Sequence, residues 1–204
     1  MYTIYIYNND SRRLERYRLE SYHNMPYTRY SSMTVSDFFS NTVSSIGWTS
    51  TDFLHKWSDM SRGNIYPQAA FRRIAEGGHT AESMHYAGLA ADTSQICHDH
   101  NFPFQEGNHV ALSSAGYPEV NQGDIGLFVL VLQDALASLG FKEGELDGFF
   151  GRETKKALSC FCNSFGLPES NGCNHDLWKL LAFQAAGCGI TDCCKHINRR
   201  KIIL

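Results

Sequence analysis

The sequence predicts an α+β protein built in two parts, a mixed first part followed by an all-α three-helix bundle. Three observations carry this expectation. Apolar residues recur at helical spacing in three stretches beyond residue 122. Short β-like runs stand before that point, at Tyr2, Ile4 and Ile6 and again at Leu89 to Ala91. Gly, Pro and Ser gather between Ser113 and Gln122, as they do at a boundary. The length of 204 residues suits one large domain or two small ones.

In chain order, a β-like start is followed by the charged stretch Arg12 to Glu20. Thr34 to Phe39 then reads as a helix opening, with Thr34 as cap and Asp37 at the third helical position. Thr49 to Met60 reads as a helix with Phe53, Leu54 and Trp57 on one face. Residues 61 to 92 contain Gly63, Gly77, Gly78 and Gly88, so the backbone turns often there. Residues 93 to 109 are polar and histidine-rich and read as loop. In the second part, Ile125, Phe128, Val129, Leu132, Leu136 and Leu139 mark the first helix, which Gly140 stops. Ala157, Leu158, Phe161 and Phe165 mark the second, from Thr154, and Leu177, Trp178, Leu180 and Leu181 the third. The predicted boundaries are 1–115 and 119–185, with a cysteine-containing basic tail over 186–204.

Composition narrows the function classes. The chain is 43% hydrophobic and 19% charged, which excludes wholesale disorder. Its net charge of −3 comes from 18 basic and 21 acidic residues spread over both parts, without the basic excess of a nucleic-acid binder. No stretch has the roughly 18 apolar residues of a membrane span. Met1 to Asp10 lacks the basic start and apolar core of a secretory signal. Cys97 stands apart from six cysteines between Cys160 and Cys194. Without CxxC knuckles, these point to buried thiols or disulfides rather than structural zinc.

The chemistry concentrates in Gly77 to Asp92. His85 offers an imidazole and Asp92 a carboxylate, both ordinary zinc ligands. Gly88 allows a tight turn between them. In a strand through Leu89 to Ala91, Ala90 and Asp92 point to one face. A carboxylate ending an apolar strand needs a partner, and a metal is a suitable one. A satisfied histidine and a strand-end aspartate explain the same residues without metal.

Ser83-x-His85-x-x-Gly88-x-Ala90-x-Asp92 resembles the S-x-H-x-x-G-x-A-x-D signature of the zinc D-Ala-D-Ala carboxypeptidase family, which includes the vancomycin-resistance D,D-peptidases. The resemblance implies a small zinc-peptidase domain with a central antiparallel sheet over 1–115. It implies Zn2+ bound by His85, Asp92 and a later histidine, with Ser83 at the substrate. Glu106-Gly107-Asn108-His109 matches the family's E-x-x-H, implying His109 as third ligand and Glu106 as general base. Arg72, or its neighbour Arg73, matches the family's oxyanion-stabilising arginine. The interval from Asp92 to His109 is 17 positions, shorter than the family's, and the expected tryptophan before the histidine is missing. His98 and His100 are therefore alternative third ligands.

The second part resembles the three-helix peptidoglycan-binding domain found beside many cell-wall hydrolases. The matching residues are Gly123-Asp124, Val131-Leu132-Gln133-x-x-Leu136, Leu139-Gly140, Leu146-Asp147-Gly148-x-Phe150-Gly151, Thr154, Ala157-Leu158, Phe161, Gly166-Leu167, Gly172 and Trp178. Gly148 and Gly151 are expected at positive φ, Phe150 in the core and Asp147 on loop amides. Cys162 replaces the usual glutamine, a change of little consequence if the position is exposed.

The two resemblances together lead to zinc-dependent hydrolysis of peptide bonds in bacterial peptidoglycan stem peptides, by a monomer held at the cell wall. The alternative is a non-catalytic peptidoglycan-binding protein with a degenerate peptidase domain. Nucleic acid and membrane are not expected partners.

Overall fold

A computed structural model describes residues 1–60, 65–95, 102–113, 116–142 and 145–187. Strand β1 (Tyr2–Asn8) pairs antiparallel with β2 (Arg13–Leu19) and parallel with β3 (Ile46–Ser50), giving the order β2-β1-β3. The charged stretch after residue 12 is thus an edge strand. Its outward side chains carry the charge, while Ile4 and Ile6 of the central strand are buried. Helix α1 (Val35–Phe38) starts in a capping box. The Thr34 hydroxyl accepts from Asp37 N, and the Asp37 carboxylate accepts from Thr34 N. Helix α2 (Thr51–Met60) buries Phe53, Leu54 and Trp57, as their spacing predicts, and begins two residues later than expected because Thr49 and Ser50 complete β3.

The second sheet is wholly antiparallel. It comprises β4 (Pro67–Ala69), β5 (Ala90–Thr93), β6 (Phe104–Glu106) and β7 (His109–Ala111), in the order β4-β5-β7-β6. The loop expected over residues 93 to 109 is corrected here: its described end forms β6 and the start of β7. Gly107, at φ 61, is the first central residue of a two-residue hairpin turn with Asn108; Phe104 and Ala111 oppose each other on one face and Val110 is buried on the other. Polarity masked this hairpin because its apolar residues are few.

The second part holds α3 (Leu127–Ser138), α4 (Arg152–Ser164) and α5 (His175–Ala185). A short ribbon, β8 (Val120–Asn121) with β9 (Gly172–Cys173), is added to the expected all-helical bundle. Gly140 follows α3 at φ 80 and ends it. Gly148 takes φ 69 as expected. Gly151 does not: its φ is −83, and its smallness serves packing instead, since a Cβ there would come 2.9 Å from the Phe149 ring. Phe150 is buried and Asp147 accepts from Phe149 N. Cys162 is also buried, not exposed, so it fills core volume as a small apolar side chain. Cys97 and the tail cysteines lie outside the described residues.

Buried apolar side chains from both parts form one cluster running from Ile4 and Trp48 through Tyr117 to Trp178. Arg73, after β4, donates from Nε to Asp134 of α3 at 2.7 Å and joins the two parts.

Candidate metal centre

His85 follows a chain of tight turns and precedes Gly88, whose φ is 67. A side chain at Gly88 would collide with the Trp48 carbonyl. Backbone therefore approaches backbone there, and Thr49 Oγ1 donates to the Gly88 carbonyl at 2.6 Å. This packing seats the turn against β3, and His85 on it is buried. Its Nδ1 lies 3.2 Å from the Ala70 carbonyl. A carbonyl only accepts, so Nδ1 carries the proton and Nε2 presents a lone pair.

Register brings in the remaining residues. Asp92 on β5 pairs directly with His109 on β7, and His109 pairs directly with Glu106 on β6. Directly opposed residues share a face of the sheet, so Asp92, His109 and Glu106 stand side by side. The spacing of Glu106 and His109 is the signature of the two-residue turn between them. The interval of 17 residues from Asp92 is closed by the antiparallel pairing of β5 and β7.

His85 Nε2 lies 3.2 Å from His109 Nδ1 and 3.4 Å from Asp92 Oδ1, and His109 Nδ1 lies 3.0 Å from Asp92 Oδ1. These near-equal sides match the ligand spacing of about 3.3 Å expected around tetrahedral zinc with bonds of about 2.0–2.1 Å. With Nδ1 of His85 protonated, one proton on His109 cannot satisfy all three contacts, whereas a cation at their centre can. Among the described residues, His85, Asp92 and His109 are the group able to hold a metal ion. Burial disfavours the charged form of Asp92, but its close contacts with His109 and His85 outweigh it and hold the carboxyl well below its ordinary range.

The triad opens into a cleft of about 480 Å3. Ser83, Glu82 and Glu106 line it, and Glu106 is exposed. The Ser83 hydroxyl accepts from His85 N at 3.3 Å. Arg72 does not line the cleft. Its Nε lies 3.7 Å from Glu76 and Nη1 donates to Asn41 at 3.4 Å, with the guanidinium beneath Gly78. Arg73 is engaged by Asp134 and sits over the Trp48 ring. His98 and His100 lie outside the described residues.

Sequence reasoning assigned no role to His79. Its ring stacks on that of His85, with centroids 4.1 Å apart and planes inclined by 15°, and it lines the cleft. Burial, then the neighbouring His85, lowers its pKa to about 4, so it is neutral at pH 7. The recurrence of histidine six residues before His85 was the available signal.

In the helical half, the buried side chain of Gln133 organises the loop before α4. It accepts from the backbone N of Asp147 and Gly148 at 3.1 and 3.0 Å and donates to Asp147 and Thr154. Asp147, Phe149, Arg152 and Glu153 surround a second recess there. No helix among the described residues is long and apolar enough to cross a membrane. No curated protein and no solved structure matches the chain. Residues 126–181 match the family model described as "Putative peptidoglycan binding domain". Over residues 126–181 the helical half of this chain is thus similar to a peptidoglycan binding domain.

Proposed function

We propose that this chain hydrolyses peptide bonds in the stem peptides of bacterial peptidoglycan with the aid of zinc, held at the cell wall by residues 126–181. The observation that carries this reading is the convergence of His85, Asp92 and His109 with Glu106 paired beside them, in one chain with a peptidoglycan binding domain. Three protein ligands at near-tetrahedral spacing are the donor set of a catalytic zinc. Bound there, zinc supplies a Lewis acid and brings the pKa of a coordinated water to about 7.

The protein's own groups supply the rest. The Ala70 carbonyl fixes the His85 ring through Nδ1–H, which orients Nε2. Glu106 has no competing side-chain partner among the described residues and is free to take a proton from water and deliver it to the leaving amine nitrogen. Ser83 stands at the cleft wall, where its hydroxyl can meet the substrate backbone. Binding the polymer through the helical half raises the local concentration of its stem peptides at the cleft. The site of action is the cell wall.

A second reading is favoured by one observation. Arg72 is held by Glu76 and Asn41 away from the cleft, which leaves the oxyanion without that arginine. On this reading the chain binds peptidoglycan and the triad is a relic. Zinc stoichiometry of the wild type beside His109→Ala, with release of amines from purified stem peptides, separates the two. About one zinc per chain, lost in the variant together with amine release, supports the hydrolase. No zinc in the wild type after loading supports the binding protein.

A further inference from the structure

The segment from Arg73 to Ser83 delivers His85 to the metal centre, and the helical half grips it at three places. Arg73 and the Ile74 amide both engage the carboxylate of Asp134 on α3. Gly77 passes so close to the Ala186 carbonyl, beyond α5, that a Cβ would come within 2.6 Å of it. The third grip comes from Tyr117. Its hydroxyl donates to the Ser83 carbonyl at 2.8 Å and its amide to Glu82 at 3.4 Å. The Tyr117 ring is buried in the helical half, edge-on to Trp178 at 5.0 Å and 5.5 Å from Phe128. Trp178 Nε1 in turn donates to the carbonyl of the adjacent Pro118 at 2.8 Å. Ser83 itself accepts from the His85 amide.

We propose that Tyr117 is a positioning residue through which the peptidoglycan binding domain holds the metal ligand His85. Its ring is seated in the helical core, and its hydroxyl fixes the carbonyl two residues before the ligand. A ligand held by such outer partners binds metal more tightly than a free one, because the geometry is set before metal arrives. The helical half is then a structural part of the metal centre, in addition to its hold on the wall. One side chain, Tyr117, thus links the Trp178 ring to the Ser83 carbonyl.

Tyr117→Phe keeps the ring and removes the hydroxyl bond. The test on the full chain has two readouts, of which only the second rests on the zinc reading. In metal-free protein, amide exchange over residues 79–88 is expected to quicken about fivefold to tenfold, with exchange in α3 and α4 unchanged. In the loaded protein, affinity for Co2+ is expected to fall about tenfold, and the visible absorption of the bound ion to shift. Retention on peptidoglycan sacculi stays at the wild-type level. Unchanged exchange over residues 79–88 overturns the proposal whatever the metal does. Quickened exchange with unchanged Co2+ affinity and absorption overturns the link to the ligand. A wild type that takes up no metal defeats the zinc reading, and exchange alone then decides whether Tyr117 holds the segment. If Tyr117→Phe fails to fold, Phe128→Leu, which removes the half-buried ring 5.5 Å from that of Tyr117, carries the same expectations for exchange over residues 79–88 and for Co2+.

Discussion

Asp92 and His109 are direct partners on adjacent antiparallel strands, with Nδ1 of His109 3.0 Å from Oδ1 of Asp92. The strand pairing that fixes this distance also places Glu106 on the far side of His109. Three adjacent short strands therefore assemble two metal donors and a carboxylate.

Glu106→Gln separates base from ligand. The amide keeps the volume and cannot take a proton, so turnover is expected to fall about 10²- to 10⁴-fold while zinc content stays at the wild-type level. His85→Ala, by contrast, should lose both zinc and hydrolysis and retain binding to sacculi. Elemental analysis beside amine release reads both, and unchanged hydrolysis in His85→Ala sinks the metal assignment.

Gly88→Ala introduces a side chain at φ 67 and against the Trp48 carbonyl. Strain at such a position costs about 1–3 kcal/mol, and backbone must move besides. Urea unfolding is expected to show a loss at or above that range, together with reduced metal uptake, because His85 rides on the same turn.

Asp134→Ala leaves Arg73 facing the interior of the interface without its partner. Asp134 is almost wholly buried, and loss of one member of a buried pair costs about 3–5 kcal/mol; the partial exposure of Arg73 argues for the lower end. A chemical denaturation midpoint within error of wild type would remove this contact from the account of how the two parts are joined.

Metal-free protein should lose stability in acid through Asp92. Its carboxyl pKa is lower folded than unfolded, where 3.8 is ordinary. Such a group stabilises the fold fully above the unfolded value, and the contribution fades as pH falls through that value toward the folded one. The stability difference between wild type and Asp92→Asn should accordingly be constant above about pH 5 and shrink below pH 4. A difference that grows with acidity would contradict the pairing of Asp92 with its histidines.

Much of this was legible in the residues. The periodicity of Leu132, Leu136, Leu158, Phe161 and Trp178 marks helical core faces, and each of these side chains is buried. Thr34 and Asp37 spelled a capping box, because capping is local chemistry between residues three apart. The hairpin around Gly107-Asn108 was not legible, because polar neighbours hid its short strands. Gly151 departs from its expected φ, and the burial of Cys162 was left open, because neither φ nor exposure follows from residue type alone. The sequence by itself determined which donors were available: His85 and Asp92 around a glycine turn, and His109 three positions after Glu106. Only the tertiary structure decided that they converge, since strand register sets which residues oppose each other across a sheet, and register depends on long-range pairing. It alone also turned Arg72 toward Glu76 and seated Tyr117 between Trp178 and Ser83, because the burial of an aromatic ring is settled by the packing of all its neighbours at once.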